Sequence, residues 1–172
     1  MNYGNNLLLE NATNKFNYAV KAYPILELKK LRRKKINVVT AQAICTSSIN
    51  GILLLAELID IRDIKIFTMG ESSKKVARQC GFKNVIDCGG DSARMINIIL
   101  KNTVKGNGEI IYAGAKTLSV NFPKILKGYG YNVRRFFLYE TTPIKELDKD
   151  FVKKLNKRQI SWIILLSQKG AK

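Results

Sequence analysis

The chain has 172 residues, 46% of them apolar, which suffices for one packed domain with extensions and excludes whole-chain disorder. Its 30 Lys and Arg against 13 Asp and Glu leave a net charge of +17, so polyanions are the favoured partners: nucleic acid, an anionic membrane surface or a small polycarboxylate. The absence of histidine excludes Ser-His-Asp and Cys-His catalysis, and Cys45, Cys80 and Cys88, scattered and without a CxxC pair, suggest neither a zinc site nor a disulfide framework.

Short Val- and Ile-rich runs alternate with stretches of helical spacing, the pattern of βα units around a parallel sheet. A strand over Tyr18 to Ala22 is closed by Tyr23-Pro24, and Ile25 to Leu28 is its partner. The basic cluster Lys29 to Lys35 reads as a solvated loop or helix end. Val38 to Cys45 is a buried strand; Thr46-Ser47-Ser48 is a polar turn, in which Ser47 or Ser48 caps a helix with Leu54, Leu55 and Leu58 inward. The strand Lys65 to Met69 ends at Gly70, and Ser72 or Ser73 caps a helix that Gly81 stops. After the short strand Val85 to Asp87, Gly89-Gly90-Asp91-Ser92 opens a helix that points Met95, Ile96, Ile99 and Leu100 inward. Gly106-Asn107-Gly108 is a turn, Ile110 to Ala113 a strand broken at Gly114, Ser119 to Lys127 a helix, and Val133 to Tyr139 a strand ended by Thr141-Thr142-Pro143. The tail offers a helix over Lys149 to Arg158 and a strand over Ser161 to Leu166.

This grammar predicts an α/β protein with an open, doubly wound and mostly parallel sheet, whose polar turns gather at the carboxyl ends of the strands. Ser47, Ser48, Asn50, Gly70, Ser73, Gly114, Ala115 and Lys116 lie at those turns, where helix-start amides favour carboxylates or phosphates. None of the turns matches G-x-G-x-x-G or a P-loop. Tyr139 ends the last strand of the unit and offers a phenol to the same rim. Met1 to Asn6 lacks the character of a secretion signal, and no run reaches the roughly 20 apolar residues of a bilayer span. A cytoplasmic protein without a membrane partner is the expectation.

Six segments in order resemble the uroporphyrinogen-III synthase family: Val20 to Leu28, Ala43-Ile44-Cys45-Thr46-Ser47-Ser48-Ile49-Asn50-Gly51, Thr68 to Ser73, Cys80-Gly81-Phe82 through Gly89-Gly90-Asp91, Ile111-Tyr112-Ala113-Gly114, and Gly130 through Tyr139-Glu140-Thr141. The resemblance implies a two-domain α/β lyase of heme (porphyrin, tetrapyrrole) biosynthesis with its site in the cleft between lobes. Such an enzyme cyclises hydroxymethylbilane, a polycarboxylate linear tetrapyrrole, to uroporphyrinogen III with inversion of ring D, and needs no cofactor and no metal. Tyr139 matches the tyrosine that assists hydroxyl departure, and Ser48 and Ser73 would bind acetate or propionate groups. The expected division is a remnant of the first lobe over residues 1–28, a central α/β domain over 29–143, and the start of a return to the first lobe over 144–172, with an oligomer or second chain completing the cleft. The alternative from another class is a non-catalytic basic α/β module that binds nucleic acid, a partner the resemblance disfavours.

Overall fold

A computed structural model describes residues 20–31 and 34–165. They form two compact units, one within Lys30–Glu140 and a second made of the described residues on either side of it. The elements run β1 (Leu26–Lys30), β2 (Ala41–Thr46), α1 (Ile49–Leu58), β3 (Lys65–Thr68), α2 (Glu71–Gln79), β4 (Val85–Asp87), α3 (Ser92–Asn102), β5 (Glu109–Ala115), α4 (Phe122–Gly128), β6 (Val133–Pro143) and α5 (Lys149–Asn156). Their six strands make one sheet in the order β1-β6-β5-β2-β3-β4.

From β2 to β6 every strand pair is parallel, with Cys45 level with Phe67 on one side and Tyr112 on the other. The chain steps outward from β2 to β3 and β4, then crosses back to place β5 on the other side of β2 and β6 beyond it. Right-handed crossovers therefore put α1 and α2 on one face and α3 and α4 on the other, and the helices pack in those pairs. Because side chains alternate along a strand, Ala43, Cys45, Phe67, Ile110, Tyr112 and Val133 share the second face and form one core with Met95, Ile96 and Ile99 of α3 and Phe122 and Leu126 of α4. Ile44, Ile66 and Ile111, on the alternate positions, are equally buried, as are Ile52 and Leu55 of α1 and Ala77 of α2.

The helix signals act through identifiable bonds. Ser48 caps α1, its Oγ accepting from the Gly51 amide at 3.0 Å, and Asp91 caps α3 by accepting from the Arg94 amide at 2.8 Å. Gly81, at φ +89°, follows α2 as the glycine of a Schellman motif, in which Phe82 N–H donates to Ala77 C=O and Gly81 N–H to Arg78 C=O. The C-terminal carbonyls of α1 and α2 meet at Arg62, whose guanidinium donates to Ala56 O at 2.9 Å, to Ile59 O, and to Cys80 O at 3.0 Å.

Several expectations are corrected. Tyr18 and Ala19 lie outside the described residues, and Val20 to Ala22 form no strand. The lysines Lys29 and Lys30 belong to β1 rather than to a loop, and two cations of the cluster face acids near the end of α1: Lys30 pairs with Glu57 at 2.8 Å and Lys35 with Asp60 at 2.5 Å. Gly70, not Ser72 or Ser73, is the N-cap of α2, so both serines fall inside its first turn. β5 does not break at Gly114; it continues to Ala115 through a shift of register against β6. Likewise β6 runs on through Thr141-Thr142 to Pro143. Residues 161–165 carry no strand, and Leu166 is outside the described residues.

In the flanking unit no described residue is buried. There Tyr23 stacks on Phe151 of α5 with ring centroids 4.9 Å apart, while Lys21 Nζ and the Tyr23 phenol both donate to Asp150 at 2.6 Å. The bond from Lys21, first, and that from Tyr23 hold the Asp150 carboxyl well below the usual carboxylate range.

One close approach sets up the site. A Cβ on Gly51 would stand 2.4 Å from Thr46 Oγ1 and 3.3 Å from the Ala113 carbonyl, so only glycine lets the first turn of α1 sit this near β2 and β5. In an exposed helix Gly→Ala gains about 1 kcal/mol. Here Gly51→Ala is expected to destabilise by about 1–3 kcal/mol, as overpacking does, and a urea midpoint at or above that of the parent would refute the packing argument.

Candidate functional site

The order of the five parallel strands, read from β4 to β6, corresponds to 3-2-1-4-5, and the winding reverses between β2 and β5. Flanking helices diverge at such a point and leave the carboxyl ends of the two strands uncovered, which is where open α/β sheets bind ligands. The residues just past those ends are Ser47 and Ser48 after β2, and Lys116 after β5.

Tyr139 joins them from β6. Its phenol lies 2.7 Å from Ser48 Oγ, and the Tyr139 carbonyl accepts from the Lys116 amide at 2.9 Å. Ala115 is level with Tyr139 in the β5–β6 register, so the shift past Gly114 aligns the two strand ends. Ser48 Oγ thus serves two partners, the Gly51 amide inside the helix and the phenol outside it. Asn50 lies in the first turn of α1, where the leading amides have no intrahelical acceptor. Burial pushes the Tyr139 phenol above its ordinary value, against the opposing pull of the Ser48 bond, so it stands as a neutral O–H donor at neutral pH.

A second phenol went unsuspected in the sequence. Tyr112 is fully buried, its ring edge-on to Phe122 with centroids 5.3 Å apart, and its hydroxyl donates to Ala115 O at 3.3 Å. Burial pushes its pKa up to about 12. Gly114 makes room for it: a Cβ there would stand 2.5 Å from the Tyr112 oxygen.

Ser47 also lines an open cleft of about 640 Å³ at the same rim, with Met69, Gly90, Asp91 and Ser92 beyond β3 and β4 and Ser119 beyond β5. Gly70 and Ser73 stand on this rim at the start of α2, next along from β2, and are not hydrogen-bonded to the Ser48–Tyr139 pair. Lys116 is exposed and its ammonium lies 3.4 Å from Glu140. The buried thiols are chemically quiet: burial raises Cys88 to about 12 and Cys45 still further, and Cys45 Sγ rests 3.4 Å from Ile111 O. Among the described residues no group of three or more His, Cys, Asp or Glu could hold a metal ion.

Comparison with known proteins bears on this arrangement. The family model described as "Uroporphyrinogen-III synthase HemD" matches residues 11–172. The chain belongs to that family. Among solved structures it is similar to the uroporphyrinogen-III synthetase of Helicobacter pylori 26695, at 17% identity and a TM-score of 0.55, over 73% of this chain and 57% of that one. The likeness establishes a shared α/β fold, and the chain spans little more than half the length of the protein it resembles. No curated protein matches. No helix among the described residues is long and apolar enough to cross a membrane.

The raised phenols imply a pH dependence of stability. Both folded values lie above the roughly 10 of an unfolded tyrosine. The folded protein therefore keeps protons that the unfolded chain releases, and this stabilisation is complete below pH ~10 and lost as pH climbs from there through the folded values. Cys45 and Cys88 act in the same direction from pH ~8.5. Urea midpoints should fall between pH 9 and 12, with a shallower fall in Tyr112→Phe; equal slopes in parent and variant would contradict the assignment.

Proposed function

We propose that this chain acts as a uroporphyrinogen-III synthase, taking hydroxymethylbilane, losing water and closing the macrocycle with ring D inverted. The observation that carries the reading is the Tyr139 phenol, 2.7 Å from the capping serine of α1 at the reversal of the sheet, in a chain of the HemD family. The substrate's carboxylates suit a chain of net charge +17 and a rim of helix-start amides. Nothing in the site favours nucleic acid over such a polyacid.

In this reading Tyr139 O–H gives its proton to the departing hydroxyl, which leaves as water. Its raised pKa keeps that proton in place across the physiological range. Ser48 holds the phenol, while Ser47, Asn50, Gly70, Ser73, Gly114, Ala115 and Lys116 provide the surface against which acetate and propionate groups are held. Holding the bilane folded is the larger task, because a reactive linear substrate closes by itself and the protein must favour the inverted geometry.

The lobe division belongs to the proposal: residues 29–143 as the central domain, with 1–28 and 144–172 belonging to the other lobe. The compact unit Lys30–Glu140 supports this division. The rest of the cleft would come from further polypeptide, a second copy or another chain, and the setting would be cytoplasmic. The solution mass, alone and during turnover, tests the former.

Freshly made hydroxymethylbilane should be converted to the type III isomer faster than it closes spontaneously to type I. A product containing type I alone would sink the reading. Tyr139→Phe should lower the rate by about 10²-fold, the lower end of what a general acid contributes, with an unchanged circular dichroism spectrum.

A further inference from the structure

Two arginines stand side by side in β6 and are treated differently by the fold. Arg134 is neutralised: its guanidinium pairs with the buried Glu109 carboxylate at 2.5 Å and donates to Asn37 O at 2.8 Å. Arg135 has no carboxylate partner among the described residues. Both guanidiniums lie over aromatic faces, that of Arg134 4.9 Å from the Phe136 ring centroid and that of Arg135 4.8 Å from Phe137 and 5.6 Å from Tyr112. The Nε of each is buried without an acceptor, and Arg135 Nη2 makes one long bond, 3.4 Å, to Lys116 O.

A half-buried cation without a counter-charge is costly to keep unless something compensates it. Stacking fixes the plane of the guanidinium but satisfies none of its donors, which leaves a rigid fork in the geometry that binds a carboxylate with two parallel bonds. Its location is suited to this. Lys116 O, which it touches, opens the β5–α4 loop whose Ser119 and Val120 line the cleft, and the Tyr112 hydroxyl beneath it donates to Ala115 O at the end of β5.

We propose that Arg135 is a carboxylate-anchoring residue of this site, one that receives a side-chain carboxylate of the tetrapyrrole and replaces the long bond to Lys116 O with a bidentate ion pair. The assignment rests on the reading of the site as a tetrapyrrole polycarboxylate site. It concerns binding rather than the departing hydroxyl, so its signature is in KM and in equilibrium affinity, with kcat little changed.

The full chain and its Arg135→Gln and Arg135→Lys variants would be titrated with uroporphyrin I, an octacarboxylate, by fluorescence quenching, and assayed with hydroxymethylbilane. Arg135→Gln should weaken uroporphyrin binding by roughly ten- to hundredfold, the value of hydrogen bonds to a charged group, and raise KM in parallel. Arg135→Lys, which keeps the charge and loses the fork, should fall between Gln and the parent. Uroporphyrin affinity equal in parent and Arg135→Gln, with matching circular dichroism spectra, would overturn the anchor, as would a parent that does not bind the probe. If the parent forms type III product while Arg135→Gln leaves KM unchanged, the anchor fails and the enzymatic reading stands. If uroporphyrin binding depends on Arg135 but no type III product forms, the anchor stands and the enzymatic reading fails.

Discussion

The first turn of α1 lies almost on top of the ends of β2 and β5, and what permits this is the missing side chain at Gly51, whose place is bounded by Thr46 Oγ1 and the Ala113 carbonyl. This contact fixes where Ser48 sits, and Ser48 in turn determines where the phenol of Tyr139 points. Sheet topology supplies the opening, since the winding reverses between these two strands and the helices that follow them go to opposite faces. The site is thus an outcome of backbone packing, with the polar side chains placed on a geometry that the apolar core has already set.

Hydroxyl groups dominate that geometry. With no histidine in the chain, the serine and tyrosine hydroxyls stand at the rim beside Asp91 and the Lys116–Glu140 pair, and burial keeps both phenols protonated. This suits a reaction in which the protein mainly selects among shapes of a flexible substrate. Tyr112, tightly packed beneath the same rim, donates to Ala115 O without itself reaching the cleft lining.

Some features governed by local chemistry were legible in the residues; others, and those governed by tertiary pairing, were not. Gly81 ends α2 because a left-handed residue is needed there, and Ser48 caps α1 because its hydroxyl reaches the Gly51 amide; both follow from short-range rules. By contrast, the apolar run from Val38 suggests a strand, but the Asn37 side chain accepts from the Val39 amide at 2.9 Å and the chain turns, leaving Val39 77% exposed and delaying β2 to Ala41. Gly114 resembles a strand breaker until the Tyr112 hydroxyl is seen to occupy the space above it. Trp162 to Leu165 have strand-forming side chains, yet pairing requires a neighbour, and Trp162 is 84% exposed. Arg135 left one signal unread: two adjacent cations in the strand each need a partner, and Glu109 pairs with Arg134 alone.

The sealed sulfurs of Cys45 and Cys88, on the core face of the sheet, have a practical corollary. A thiol that is both enclosed and reluctant to ionise reacts slowly with disulfide or maleimide reagents, so modification of these two positions must wait for the core to open. The labelling rate of Cys45 is consequently a built-in gauge of how often the β2–β5 region comes apart, and that of Cys88 reports in the same way on the end of β4, without a reporter added to the chain.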